Sequence, residues 1–86
     1  MVIKGSAAKR HRQSQKRRMR NRAMRSRVRS EIRGFLRAVE GKEKSTAETR
    51  LHSLTRLIDT AAGKGVYHKN TAARTKSRLR KKLNAL

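Results

Sequence analysis

From Lys9 to Arg29 the chain reads KRHRQSQKRRMRNRAMRSRVR, with eleven Lys or Arg residues and no Asp or Glu. No compact core can form around such a run, because a buried charge without a partner costs more than a small domain can offset. The segment must lie on a surface or project from one, and folding is left to the residues that follow it. The charge map agrees. Residues 1–30 carry twelve cations and no acid, residues 31–60 six cations and all five acids, and residues 61–86 eight cations and no acid. The middle third is thus nearly neutral (six minus five, +1) between two basic ends. A total of +21 over 86 residues bears on partners more than on fold: it calls for a polyanion.

Nothing in the composition interrupts helix. There is no Pro, and Arg, Lys, Ala, Gln, Glu and Leu are good helix formers, with Gly5, Gly34, Gly41, Gly63 and Gly65 as the punctuation. Met24, Val28, Ile32, Phe35, Leu36 and Val39 recur at the helical period and predict a first helix over about 6–40. Ser6 is placed to cap it, and Gly41 to supply a left-handed residue at its end. Gly34 costs about 1 kcal/mol inside this helix, which is nevertheless expected to pass through it. Ser45-Thr46-Ala47-Glu48 fits a capping box opening a second helix over about 46–63, with the stripe Leu51, Leu54, Leu57, Ile58, Ala61, Ala62 and an end at Gly63 or Gly65. A third helix over about 69–84 begins near His68 or Asn70 and carries Ala72, Leu79, Leu83 and Leu86 on one side. Asn70 reads equally as its cap or as a binding residue.

Three stripes joined by short loops predict an all-α fold: a single domain over 1–86 built as a three-helix antiparallel bundle. The lengths do not match, since a first helix of some 35 residues is roughly 50 Å long and the second about half that. The apolar stripe starts only at Met24, so the long, basic first helix must extend beyond the bundle.

Two polyanions compete as partner. A membrane-surface helix needs an apolar face to bury, and the basic arm has none. Lys9, Arg12, Lys16 and Arg20 form one stripe, Arg18, Arg22, Arg25 and Arg29 another, and Arg10 and Arg17 lie between, with Met19 the only large apolar side chain before Met24. Nucleic acid needs cations aimed at phosphates and polar side chains such as Gln13, Ser14, Asn21, Ser26 and Ser30. Charge on every side predicts a helix enclosed by nucleic acid. It also predicts that the arm is ordered by its partner, since Lys9, Arg10 and Arg12 oppose the helix dipole and like charges repel at i,i+4.

Other function classes fall away. Without Cys there is no disulfide or thiolate metal site, and His11, His52 and His68 are too scattered to hold a metal. No nucleophile–base constellation points to an enzyme, and neither a cofactor nor a small-molecule substrate is implied. No stretch has the roughly 20 apolar residues of a membrane span, and the N-terminus lacks a signal-peptide pattern, so the expected setting is soluble and cytoplasmic. A transit peptide is disfavoured because the basic pattern recurs at the C-terminus. One Phe and one Tyr give no stacking platform for single strands. Composition alone leaves DNA and RNA even.

Two blocks separate them. Ser6-Ala7-x-Lys9-Arg10-x-x-Gln13-Ser14-x-Lys16-x-Arg18-x-x-Asn21, followed by Arg25-Ser26-x-x-Arg29, resembles the start of the bacterial small-subunit ribosomal protein S20 family. Ala61 to Leu79, AAGKGVYHKNTAARTKSRL, is similar to the second signature of that family, in the expected order and spacing. The resemblance covers essentially the whole chain. It implies a non-enzymatic three-helix protein of the ribosome that binds small-subunit ribosomal RNA directly and early in assembly, with a long first helix threaded among RNA helices and with neighbouring small-subunit ribosomal proteins as further partners. The RNA-binding residues it implies are Ser6, Lys9, Arg10, Gln13, Ser14, Lys16, Arg18, Asn21, Arg25, Ser26 and Arg29, then Lys64, His68, Lys69, Asn70, Arg74, Lys76 and Ser77. The helical placement of the cations adds Arg12, Arg17 and Arg22. The alternative to this reading is a nucleoid-type DNA-binding protein.

Overall fold

The computed structural model describes the backbone from Val2 to Leu86 and side chains from Ala7 onward. It contains α1 (Val2–Glu40), α2 (Lys44–Gly63) and α3 (Lys69–Asn84), and no strand among the described residues. α1 runs without a break through the basic arm, whose residue types are compatible with helix. Because α1 starts at Val2, Ser6 lies inside it and does not cap it; the Ser6 side chain, and with it that binding assignment, lies outside the described side chains. The 39 residues of α1 span about 58 Å at 1.5 Å each, which accounts for most of the longest molecular extent, 63 × 20 × 14 Å.

The predicted bundle forms, with α2 in the middle packing against both α1 and α3. Phe35, Leu54 and Ile58 are the largest fully covered side chains, and Val28, Leu51, Ala72 and Leu79 complete the core around them. Ile32, Leu36, Val39, Leu57, Ala62, Tyr67 and Leu83 pack at its edge, half-buried. Ala38 and Ala47 are buried although neither stood out in the sequence: a methyl side chain lets α1 and α2 approach closely, and closeness itself excludes water. Leu86, expected on the core side of α3, is exposed: it lies beyond the end of α3 at Asn84, past the last residue that packs against the core, Leu83.

The helix ends differ from expectation in an informative way. After α1 the Lys42 N–H donates to Val39 O at 3.0 Å and the Glu43 N–H to Ala38 O at 2.9 Å. This is a Schellman turn, and its left-handed residue is Lys42 (φ 55°), not Gly41. Glu43 thereby becomes at once the last residue of the turn and the N-cap of α2, which starts at Lys44. Ser45 lies inside the helix, so the expected capping box does not form, and the N-cap makes no side-chain bond. The same motif recurs after α2, where Gly65 (φ 76°) donates to Ala62 O at 3.1 Å and Val66 to Ala61 O at 2.9 Å. Of the two candidates, Gly65 is the turn residue. Val66 is buried beside the core, the apolar contact that often accompanies this turn.

α3 opens on His68, in extended conformation, whose ring Nδ1 accepts a hydrogen bond from the Asn70 N–H at 3.1 Å. His68 is therefore the cap, and Asn70 stands within the first turn. Three threonines of α2 are accommodated in the same economical way: Thr49, Thr55 and Thr60 hydroxyls donate to the carbonyls of Ser45, Leu51 and Arg56, four residues back.

Candidate nucleic-acid interface

Every described side chain from Ala7 to Arg20 is exposed. The reason is visible in the register. Arg10 precedes Val28, and Arg17 precedes Phe35, by eighteen residues, which is five full turns at 3.6 residues per turn. The side of α1 that buries Val28 and Phe35 against the bundle thus continues up the arm as Arg10 and Arg17, with Ser14 alongside. No protein surface covers it there.

The other cations sort onto two sides. Arg18, Arg22, Arg25 and Arg29 line one shallow groove with Asn21 and Ser26. Lys9, Arg12, Gln13 and Lys16 line a second. Lys16 and Arg25 are nine residues apart, about two and a half turns, so the two grooves face opposite directions. Arg12–Lys16, Lys16–Arg20, Arg18–Arg22 and Arg25–Arg29 are like-charge i,i+4 pairs, and at roughly 0.2–0.5 kcal/mol each they cost the isolated arm about 1–2 kcal/mol. No packing offsets that. Asn21 Oδ1 is the one buried side-chain oxygen among the described residues that has no hydrogen-bond partner.

The second block lies at the α2–α3 turn and along α3. Lys64, His68, Lys69, Asn70, Arg74 and Ser77 are all exposed. With Nδ1 accepting at the cap, the neutral His68 ring carries its proton on Nε2, which leaves an N–H donor for a partner. Val28 and Arg29 share the walls of a small cavity with Tyr67, Thr71, Ala72 and Thr75. The start of α3 therefore sits beside the root of the arm, with Tyr67 and Thr71 against Arg29 although about forty residues separate them in sequence. Lys76 stands apart from the rest. Its ammonium pairs with Asp59 of α2 at 2.5 Å, the only ion pair among the described residues, and it lines a separate groove with Ser77, Arg80 and Lys81.

Sequence reasoning passed over Arg27, Arg78, Arg80 and Lys82, which are exposed on the arm or on α3. Arg27 falls at an unspecified position of the first block and Arg78 within the second stretch, while Arg80 and Lys82 lie beyond both, and only their exposure marks them. Among the described residues no group of His or acidic side chains is arranged to hold a metal ion, and no helix is long and apolar enough to cross a membrane. What the surface offers is guanidinium and ammonium groups around a rod, with amide and hydroxyl donors between them. That is chemistry for phosphate.

The family model described as Ribosomal protein S20 matches residues 4–84. A small ribosomal subunit protein bS20 of Syntrophobacter fumaroxidans is 47% identical over 81 residues, 94% of this chain and 94% of that protein. One from Syntrophus aciditrophicus is 46% identical over 85 residues, 99% of this chain and 96% of that protein. One from Acidithiobacillus ferrooxidans is 42% identical over 86 residues, 100% of this chain and 94% of that protein.

Proposed function

The chain belongs to the ribosomal protein S20 family, and from that premise we propose that it binds small-subunit ribosomal RNA directly and stabilises the packing of that RNA during subunit assembly. It is a small ribosomal subunit protein, not an enzyme. The observation that carries the RNA-binding reading is the register of α1: the side that is apolar in the bundle becomes Arg10 and Arg17 on the arm, where the only surface left to cover it is a polyanion. Phosphates on all sides would remove the i,i+4 repulsion and release counterions. A-form RNA presents phosphates, 2′-hydroxyls and shape more than a readable major groove, so specificity comes from the fit of the rod among RNA helices. The Ser6 to Arg29 residues and the Lys64 to Ser77 residues named above are the proposed contacts. Asn21 gains the partner it lacks when its amide turns outward to a ribose hydroxyl. Lys76 must exchange Asp59 for a phosphate.

The test is binding of the full chain to folded small-subunit rRNA over a range of salt, with duplex DNA as competitor. Replacing Arg17, Arg18 and Arg22 together by Gln should reduce the slope of log K against log salt by about 2–3, at roughly 0.7–0.9 per phosphate contact. Equal affinity for duplex DNA would favour a nucleoid protein, and an unchanged slope would take these three residues off the interface.

A further inference from the structure

Gly34 has no explanation within α1 alone, since it weakens a long helix at a position where nothing requires a left-handed backbone. The explanation comes from α2. A Cβ at position 34 would stand 2.5 Å from a terminal nitrogen of Arg50 and 3.3 Å from its guanidinium carbon. Arg50 lies across α1 in the space that the missing side chain leaves. Arg33 and Arg37 flank it from α1, Ser30 and Thr46 add hydroxyls, and Glu43 is the one acid in the groove these residues line. Among the described residues none of the three guanidiniums has an ion-pair or side-chain hydrogen-bond partner. Three fork-shaped donors thus converge at the α1–α2 junction against one carboxylate, in the third of the chain whose charge nearly cancels in sequence.

We propose that Arg33, Arg37 and Arg50 form a second phosphate-binding cleft, floored by Gly34, that holds a stretch of RNA backbone different from the one held by Arg18, Arg22, Arg25 and Arg29. The register separates the two. Gly34 follows Arg25 by nine residues, about two and a half turns, and so faces the opposite side of α1. It follows Lys16 by eighteen residues, five turns, and continues the side on which Lys9, Arg12 and Lys16 lie. One rod then clamps two RNA segments, with the bundle lending Arg50 to the second. Guanidinium suits the task because its planar fork meets two phosphate oxygens at once.

This inference rests on the RNA-binding reading above, and the experiment separates the two. The full-length chain, its Arg33/Arg37/Arg50→Gln variant and Gly34→Ala are titrated with folded small-subunit rRNA across salt, with helicity and Tm recorded for each. The triple variant should keep its helicity, lose about 2–3 units of salt slope and bind roughly 100- to 1,000-fold more weakly near 0.1 M salt, extrapolating from equal affinity at 1 M. Gly34→Ala should hold or raise Tm, because Ala is the better helix former, while the displaced Arg50 costs about one unit of slope. The chain has no Cys, so Thr46→Cys can carry a tethered iron chelate, and its hydroxyl-radical cuts should fall on a different RNA segment from those of Arg22→Cys. A triple variant with wild-type slope and affinity, or no cuts from position 46, overturns the cleft while leaving the arm in place. Failure of the wild-type chain to bind this RNA overturns both readings.

Discussion

The two Schellman turns provide a matched pair with opposite expected signs. Both place one residue in the left-handed region, Lys42 at φ 55° and Gly65 at φ 76°. An L-residue there carries roughly 1–2 kcal/mol of steric cost, whereas Gly carries none but loses about 0.4–1 kcal/mol more freedom on folding. Lys42→Gly should therefore stabilise the chain by about 0.5–1 kcal/mol, and Gly65→Ala should destabilise it by a similar amount. At Gly65 the effect is pure backbone strain, because an added Cβ would meet nothing within 4 Å. One competing term must be suppressed: Lys42 lies past the negative end of α1, where a cation contributes about 0.3–1 kcal/mol at low ionic strength. In 1 M salt the screening length is about 3 Å and that contribution fades. Thermal unfolding of the free chain, followed by helical circular dichroism in 1 M salt, should move Tm by several degrees upward for Lys42→Gly and downward for Gly65→Ala, at about 4–8 °C per kcal/mol for a domain of this size. If both changes lower Tm, or Gly65→Ala leaves it unmoved, the assignment of these turns is wrong.

Three further outcomes are expected. Leu54→Ala, at a fully covered position, should cost about 2–5 kcal/mol in urea unfolding and Leu57→Ala, at the half-buried edge, distinctly less; equal losses would mean that α2 presents a different face to the core. In the RNA-free protein at moderate salt, NMR shifts of residues 7–20 should be close to random coil while those of α2 and α3 are helical, since the arm bears repulsion without packing; helical shifts throughout would refute the claim that a partner orders it. His68→Ala should lose the α3 cap and about 1 kcal/mol, with His68→Asn recovering most of it, and a neutral His68→Ala would show that the ring does not cap.

What could be read in the sequence was whatever repeats with the helical period. Val28, Phe35, Leu54 and Ile58 announce their faces, so three helices, their order and the overhang of the first follow from spacing and charge. The helix ends were less legible for a physical reason. A Schellman turn is bonded by backbone alone, so Lys42 can occupy the position where Gly41 was expected, and the turn then supersedes the capping box that Ser45 and Glu48 offer. Ala38 and Ala47 were missed because burial by close approach needs no large side chain. The Arg50–Gly34 contact joins two helices, and in the linear sequence only the unexplained glycine hints at it. Composition left DNA and RNA even; the Lys64 to Arg74 block carried the family resemblance, while the approach of that block to Arg29 required the fold.

The overhang of α1 has a mechanical consequence. Ahead of Met24 the described side chains extend over seventeen residues, a cantilever of about 25 Å at 1.5 Å per residue. Pivoting this lever by ten degrees at its root sweeps the tip through about 4 Å, further than the span of a single hydrogen bond. The bundle cannot aim Lys9 or Arg12 at a chosen phosphate by stiffness alone. In the proposed RNA complex, alignment at the tip would be set by the RNA around it, with the distal end conforming to its surroundings and the bundle holding the other end.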